Sequence, residues 1–264
     1  MARFWLTPRW LISHVLVALL AGLFVSLGIW QLNRLDERRA HNAMVAERMG
    51  GAAQPLDEAL AQGDGDELDY RRVTVTGEFL HAEEVLLGPL SRDGEPGYHV
   101  LTPLATADGR GVLIDRGWVP YRYDEPPVAD AAPPMAQVTV SGIARRSQQQ
   151  ESFGPRIPAE GRLSSIARVD VSRLQRQASL DLAPVYIQLG TQEPSQSGPL
   201  PLPPALPELT EGNHLSYAVQ WFLFAAIGVI GYGALLRGGA REHRGGLGDG
   251  VQDPAFAVTA RSER

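Results

Sequence analysis

Two long stretches without a charged residue constrain this chain more than any other feature of its sequence. No Asp, Glu, Lys or Arg occurs from Trp10 to Asn33 or from Gly212 to Leu236. About 20 apolar residues suffice to cross a bilayer as an α-helix, so each stretch can span a membrane. We therefore predict transmembrane helices over residues 11–30 and 213–236. The alternative, that one stretch is the buried core helix of a soluble domain, is disfavoured because two such stretches flank one polar region.

The residues around the first stretch distinguish a permanent anchor from a cleaved signal. Arg3 and Arg9 precede it, as in the n-region of a signal peptide. Its apolar core runs for about 20 residues, beyond the roughly 7 to 15 of a signal-peptide h-region, and no A-x-A site follows it. We therefore predict an uncleaved anchor helix.

Arginines on the two tails predict the orientation of this hairpin. Arg3 and Arg9 precede the first span, and Arg237, Arg241 and Arg244 follow the second. Positive residues concentrate in short cytoplasmic segments, so both termini are predicted to be cytoplasmic. Three arginines just beyond the first span weigh against this, but they adjoin a long translocated domain, where the rule counts them less. The remaining predicted segments are a cytoplasmic N-terminal tail (1–10), an extracytoplasmic domain (31–212) with a Pro-rich linker (194–207), and a disordered cytoplasmic tail (237–264).

The region between the spans consists mainly of short strand-like runs. Residues 31–49 instead are charged, free of Pro and carry a loose apolar stripe, which predicts a helix continuing out of the membrane. Another helix is predicted near 171–180, with Pro184 ending it. The predicted fold class is thus a membrane protein with two transmembrane α-helices, in hairpin topology, flanking a β-rich α+β extracytoplasmic domain. The six predicted strands cover residues 72–79, 84–87, 98–101, 112–115, 137–142 and 185–188.

The composition excludes several classes of chemistry. All 24 basic residues are Arg, so lysine-based catalysis, Schiff bases and P-loops are excluded. The absence of Cys excludes zinc ribbons, thiol nucleophiles and covalent CxxCH haem attachment. Four scattered Met residues argue against a copper carrier. The formal net charge of −6, without a basic run in the middle of the chain, argues against nucleic acid as a partner.

The predicted domain offers no recognisable catalytic constellation. It contains no G-x-S-x-G, H-E-x-x-H or G-x-x-x-x-G-K motif, so no enzyme is predicted. Asp115 and Arg116 end a predicted strand, and we interpret them as an adjacent ion pair at a turn with Trp118 packed beneath. His81 beside Glu84 is interpreted as part of a solvated turn rather than a metal site.

The membrane boundary brings two separate sequence regions together. His214, Tyr217 and Trp221 recur at helical spacing, which places imidazole, phenol and indole on one face of the second span. In a hairpin, Trp30, Gln31 and Arg34 at the outer end of the first helix lie at the same depth. An imidazole flanked by aromatic rings, with an arginine in reach, suits an axial haem ligand and its propionate partner. The alternative is that these residues are ordinary interface anchors, because Trp, Tyr and His are enriched there.

Small residues predict where the two spans approach closely. Gly22 and Ser26 lie one turn apart on the first span, and Ala218 and Ala225 follow the aromatic face of the second. Such residues admit a partner helix or a flat apolar ligand. His14 lies too far toward the cytoplasmic end to share the site of His214, and we predict that it is a polar residue at a helix contact.

Four motifs occur in order along the chain: LGIWQLNR at 27–34, GYHVLTPL at 97–104, VLIDRGWVP at 112–120 and NHLSYAVQWF at 213–222. In these motifs the chain resembles the surfeit-locus cytochrome oxidase assembly factors, and the match covers most of residues 1–237. Members of that family have two transmembrane helices around an extracytoplasmic domain. They assist maturation of the catalytic subunit of haem-copper oxidases, and bacterial members are associated with haem a.

The resemblance implies a bacterial plasma-membrane assembly factor for haem-copper (cytochrome c) oxidase that binds haem a and aids its insertion into the catalytic subunit. His214 matches the motif histidine and is the implied ligand to the haem iron, with Tyr217, Trp221, Trp30 and Arg34 as further cofactor-binding candidates. The implied partners are the oxidase catalytic subunit, the enzymes of haem a synthesis and membrane lipid. The alternative is a cofactor-free scaffold or chaperone that holds a folding oxidase subunit, in which His214 only forms a hydrogen bond.

Overall fold

The part of the chain described by the computed structural model, residues 7–149 and 157–245, divides into two compact units. The helix pair comprises residues up to His41 and from Thr210 onward, and the domain comprises Asn42–Leu209. The helices are α1 (Pro8–Gly50), α2 (Leu56–Gln62), α3 (Gly65–Leu68), α4 (Val171–Gln175) and α5 (His214–Gly245).

Helices α1 and α5 have the length and apolar composition needed to cross a membrane. Helix α1 begins at Pro8, where the missing N–H costs nothing because the first N–H groups of a helix have no partner within it. Only 6% of the most apolar window of each helix is buried. A core helix of a soluble domain would show the opposite, so that alternative is disfavoured for both.

The ends of these two helices differ from the predicted segments. Helix α1 runs unbroken to Gly50, which confirms the predicted helix over residues 31–49. Helix α5 continues to Gly245, so the disorder predicted for 237–264 is wrong for residues 237–245, where no Pro ends the helix. Residues 246–264 lie outside the described residues. So do residues 1–6 of the predicted tail 1–10, whose last three residues belong to α1.

All six predicted strands form, and every one except the first is longer than predicted. The added length comes from pairing that has no apolar alternation, as where Leu90 pairs with Gly97 and Arg92 with Glu95. The two remaining strands were not predicted, because each has only two residues and so shows no periodic pattern. The strands are β1 (Gln54–Pro55), β2 (Arg72–Phe79), β3 (Val85–Arg92), β4 (Glu95–Thr106), β5 (Arg110–Pro120), β6 (Val138–Arg146), β7 (Ser165–Ile166) and β8 (Asp181–Glu193).

The sheet closes on itself. Its strand order is β1-β2-β6-β8-β5-β4-β3-β7, and β2 pairs with β4 as well as with β6. Strands β2, β6, β8, β5 and β4 therefore form a closed ring, while β1, β3 and β7 extend it. Only one pair within the ring, β5 with β8, is parallel. Closure leaves the ring strands without a continuous free edge.

Apolar residues of all five ring strands face the inside of the ring. Val73 and Val75 of β2 are buried and alternate with more exposed threonines, as expected for one inward face. Val112, Ile114 and Ile187 meet them from β5 and β8. Helices α2 and α3 add Leu56 and Leu68 to this core. The hydrophobic effect on this interior stabilises the domain.

Helix α4 and strand β8 correct the prediction for residues 171–188. Helix α4 begins as predicted but ends at Gln175, with Asp170 accepting a hydrogen bond from the N–H of Arg173 at its start. Pro184 lies inside β8 instead of ending a helix. The β5–β8 register shifts between the pairs of Leu182 and Tyr186, so Pro184 occupies an irregularity, where a missing N–H is tolerated.

Candidate functional site

His214 is the first residue of α5, and its ring is held by a residue of α1. Its Nδ1 lies 2.8 Å from Oε1 of Gln31. The amide oxygen accepts only, so in the neutral ring this contact places the proton on Nδ1 and leaves the lone pair on Nε2. That is the tautomer in which imidazole binds a metal through Nε2, with its other nitrogen oriented by a hydrogen bond.

The turn before α5 places a residue without a side chain beside this nitrogen. Gly212 has a φ of +68°, and a Cβ there would lie 3.7 Å from Nε2 of His214. Glycine adopts this backbone without strain and adds no atom next to the ring. The N–H of Tyr217 donates to the carbonyl of Asn213 at 3.1 Å, which closes the first turn of the helix. The local sequence therefore fixes where His214 points.

Trp221 belongs to an aromatic cluster within the helix pair. Its ring stacks on Phe24 with centroids 5.6 Å apart and 24° between the planes. It also meets Phe224 edge-on at 5.9 Å. Phe24 and Phe224 were missed because apolar residues of a predicted span carry no signal that sets packed rings apart from lipid-facing ones. Trp221 is thus fixed by its neighbours.

The other three candidates are more open. Trp30 and Tyr217 expose 53% and 48% of their surface. Arg34 donates to Glu37 on its own helix at 2.6 Å, with half of its side chain exposed. This bond uses Nη1, and a guanidinium has five N–H donors, so a propionate would not need to displace the carboxylate. The structure therefore pairs His214 with Gln31, Trp221 with Phe24 and Arg34 with Glu37.

The close approach of the two helices occurs at a different glycine from the one predicted. Gly28 is buried, and a Cβ there would lie 2.6 Å from Cε1 of Phe222. Gly22, predicted to admit the second helix, has no atom within 4 Å of its Cβ position. Ala218 and Ala225 are buried, as the predicted small-residue contact requires. The small-residue contact is confirmed for α5, and Gly22 is not where α5 approaches α1; a flat apolar ligand at Gly22 stays a prediction.

Two polar contacts flank this part of the helix pair. The hydroxyl of Tyr232 lies 2.7 Å from Nδ1 of His14, which confirms that His14 is a polar residue at a helix contact. Arg39 binds Glu211 with two parallel hydrogen bonds of 2.9 Å each. Hydrogen bonds from Arg39 lower the pKa of Glu211.

The domain buries an ionic cluster where the sequence predicted a turn. Arg116 and Glu84 expose only 1% and 4% of their surfaces, with Nη1 and Oε2 3.4 Å apart. Asp115 instead contacts Nδ1 of His99 at 2.9 Å, so the predicted ion pair between neighbours is wrong. Successive residues of a strand face opposite sides, which separates the two. Trp118 is buried as predicted.

Burial shifts the pKa values of the ionisable groups in this cluster. The interpretation of His81 and Glu84 as a solvated turn is wrong, because Glu84 accepts from the N–H of Val128 at 2.7 Å inside the domain. Burial raises the pKa of Glu84 and lowers that of Arg116 to about 10. Burial also lowers the pKa of His81. Within residues 7–149 and 157–245, no group of His, Asp and Glu side chains could hold a metal ion.

Comparison with known proteins supports the resemblance found in the motifs. The model of the SURF1 family matches residues 18–226. An uncharacterized SURF1-like protein of Mycobacterium bovis is 30% identical over 253 residues, covering 92% of this chain and 90% of the relative. A SURF1-like protein of Rickettsia felis is 27% identical, covering 83% and 95% of the two chains. One from Caenorhabditis elegans is 26% identical, covering 84% and 73%.

Proposed function

The chain belongs to the SURF1 family, and from this premise we propose that it binds haem a and aids its insertion into the catalytic subunit of a haem-copper (cytochrome c) oxidase. The family is generally linked to cytochrome oxidase assembly. In this proposal the protein binds its cargo and hands it over without catalysing a reaction. Its partners are the enzymes that make haem a, the oxidase catalytic subunit and the surrounding lipid.

The proposed location is the bacterial plasma membrane, with α1 and α5 crossing it. Their exposed aliphatic surface supports insertion, because such a surface is unfavourable in water. Arginines on both tails support cytoplasmic termini and an extracytoplasmic domain. His214 and Trp30 then lie at the outer membrane surface.

The contact between His214 and Gln31 carries the haem proposal. An axial ligand needs a neutral imidazole with a lone pair aimed at the iron. The contact of Gln31 with Nδ1 supports Nε2 as the nitrogen that would bind iron, and Gly212 places no side chain beside it. Haem bound there would supply the iron that Nε2 coordinates. Tyr217 and Trp30 offer exposed aromatic surface for its macrocycle.

One observation favours the scaffold alternative. Trp221 stacks on Phe24 of α1 and meets Phe224 of its own helix edge-on, so its ring already has partners. In the scaffold reading the hydrogen bond from His214 to Gln31 stabilises the helix pair, and the exposed aromatic surface contacts a folding oxidase subunit. This version predicts no bound chromophore.

Haem content of the purified protein separates the two functions. The full chain, produced in cells that make haem a, should show a Soret band and the pyridine haemochrome spectrum of haem a. His214→Ala should lose most of the haem while still inserting, because alanine has no lone pair for iron. Gln31→Ala should weaken retention, whereas Gln31→Glu should preserve it because a carboxylate still accepts from Nδ1–H.

His14→Ala is the matched control. His14 also contacts the opposite helix, through Tyr232, but lies toward the other end of the spans. Haem content should stay at the level of the unchanged protein. Full occupancy and an unchanged spectrum in His214→Ala would exclude His214 as the ligand, whereas absence of haem from the unchanged protein would favour the cofactor-free scaffold.

A further inference from the structure

A cleft opens in the domain where the two parallel ring strands diverge. Strands β5 and β8 pair as far as Asp115 and Gln188, and their last residues do not pair with each other. A cavity of about 320 Å³ lies there, lined by Arg116 of β5 and by residues 189–192 of β8. Ligands commonly bind at the carboxyl ends of parallel strands. The shape of the ring therefore creates a place for a ligand.

The far wall of the cleft is a fixed segment of chain. The N–H and carbonyl of Leu202 both bond to Trp118 at 2.8 Å, which covers the edge of β5. This approach requires glycine at 117, since a Cβ there would lie 2.0 Å from the Leu202 oxygen. Arg92 donates to the Pro203 carbonyl at 2.7 Å, and Gln196 to that of Ala132 at the same distance. The wall is thus formed without any ligand.

The facing wall of the cleft carries unused main-chain groups. Residues 189–193 of β8 pair with β6 on one side. Among the described residues, no backbone hydrogen bond reaches their other side. Every second residue of a strand turns its N–H and C=O to the same edge. This short edge can accept one more extended chain.

Two side chains that line the cleft each have one buried polar atom without a hydrogen-bond partner, a donor in one and an acceptor in the other. The Nε–H of Arg116 has no acceptor, although only 1% of the surface of this residue is exposed. Oε1 of Gln192 is a buried acceptor without a donor. Buried polar atoms are nearly always paired, so an unpaired donor and an unpaired acceptor in one cavity require explanation.

These groups favour a peptide over an anion. Glu84 lies against the same guanidinium and compensates its charge, so a second carboxylate would face a negative group. An anion also offers no hydrogen for Gln192. A peptide unit supplies both a C=O and an N–H, and Leu189 with Pro201 and Pro203 offers apolar surface to its side chains. We infer that this cleft binds an extended segment of a partner polypeptide by its main chain.

The inference is tested by peptide binding to the full chain in detergent. Short overlapping peptides, amidated at the carboxyl end, would tile the extracytoplasmic segments of the oxidase catalytic subunit and of unrelated secreted proteins. Fluorescence anisotropy should reveal binding to peptides of extended type. Replacing one N–H of a bound peptide by N-methyl should weaken binding about 10-fold at alternate positions, because one buried hydrogen bond is lost.

Variants of the cleft give the second readout. Ser195→Trp should fill the cavity, and Gln192→Ala should remove the acceptor, each lowering affinity about 10-fold or more. Ser197→Trp and Gln149→Ala are the matched controls outside the lining, and they should bind like the unchanged protein. Equal protease resistance of all four variants shows that the domain has folded.

Three outcomes would overturn the inference: no peptide binds, the cleft variants bind like their controls, or acetate displaces the peptide while N-methylation has no effect. Binding confined to peptides of unrelated proteins would support the cleft and count against the oxidase as its partner. The haem content of His214→Ala is independent of all these results.

Discussion

Replacing Glu84 should destabilise the domain strongly, because its carboxylate joins three separate segments. Oε1 accepts from the N–H of Val128 at 2.7 Å, and Oε2 accepts from Thr102 at 3.2 Å and from Arg116 at 3.4 Å. Glu84→Ala leaves a buried guanidinium without its counter-charge and a buried N–H without an acceptor. Removing one partner of a buried ion pair costs about 3–5 kcal/mol. The unsatisfied N–H accounts for about 1–3 kcal/mol of that.

The assay is urea unfolding of the full chain in detergent, followed by pulse proteolysis of the domain. Glu84→Gln keeps an acceptor for the N–H of Val128, so its loss should be smaller than that of Glu84→Ala. Glu78→Ala is the matched control, because Glu78 is exposed on β2, and its cost should stay below about 0.5 kcal/mol. A free energy of unfolding for Glu84→Ala within about 1 kcal/mol of the unchanged protein would refute the reasoning.

The same pair has a predictable pH dependence. Burial raises the folded-state pKa of Glu84 above its usual 4.5, although Val128, Arg116 and Thr102 act against this. The folded protein then holds this proton to higher pH than the unfolded chain, so ionisation of Glu84 lowers stability as pH rises through that window. Relative to Glu84→Gln, the unchanged protein should lose unfolding free energy from pH 4.5 upward. His81, which also faces this cluster, has a lowered pKa and contributes the opposite slope below pH 6.5.

Three further results are expected. Trp118→Ala should cost about 3–5 kcal/mol in the same unfolding assay, because a buried indole is replaced by a cavity; normal abundance and protease resistance would contradict this. Gly28→Leu should lower the thermal aggregation midpoint of the solubilised protein, because its side chain would overlap Phe222, whereas Gly22→Leu should leave it unchanged; equal midpoints would refute the close contact. Alkaline phosphatase fused after residue 150 should be active and after residue 245 inactive, and the reverse result would remove the predicted hairpin orientation.

The strands were predictable because their signal is local. The alternation of Val73 and Val75 with threonines sets one inward face within a single run of sequence. Closure of the ring was not predictable from the sequence, because it requires β2 to pair with β4 at Gly77 to Phe79 as well as with β6. The sequence of β2 has no feature that indicates two neighbouring strands instead of one. The parallel β5–β8 pair likewise joins segments about 70 residues apart, as in Ile114 with Ile187. Local patterns specify an element, whereas pairing depends on the free energy of the whole core.

In the candidate site, too, the residues that share one helix were predictable, whereas their contacts with the other helix were not. The spacing of His214, Tyr217 and Trp221 defines one helix face because the three share a helix, and any correct helix assignment reproduces it. Their partners lie on α1, about 180 residues away, where rotation of one helix against the other decides which side chains meet. Gly28 fixes that rotation by admitting Phe222, and Gln31 lies one turn beyond Gly28 on α1. A polar amide inside the uncharged stretch from Trp10 to Asn33 was the available signal. Partner side chains for a histidine at the start of one apolar helix are therefore best sought among uncharged polar residues at the facing end of the other, before the arginines beyond it.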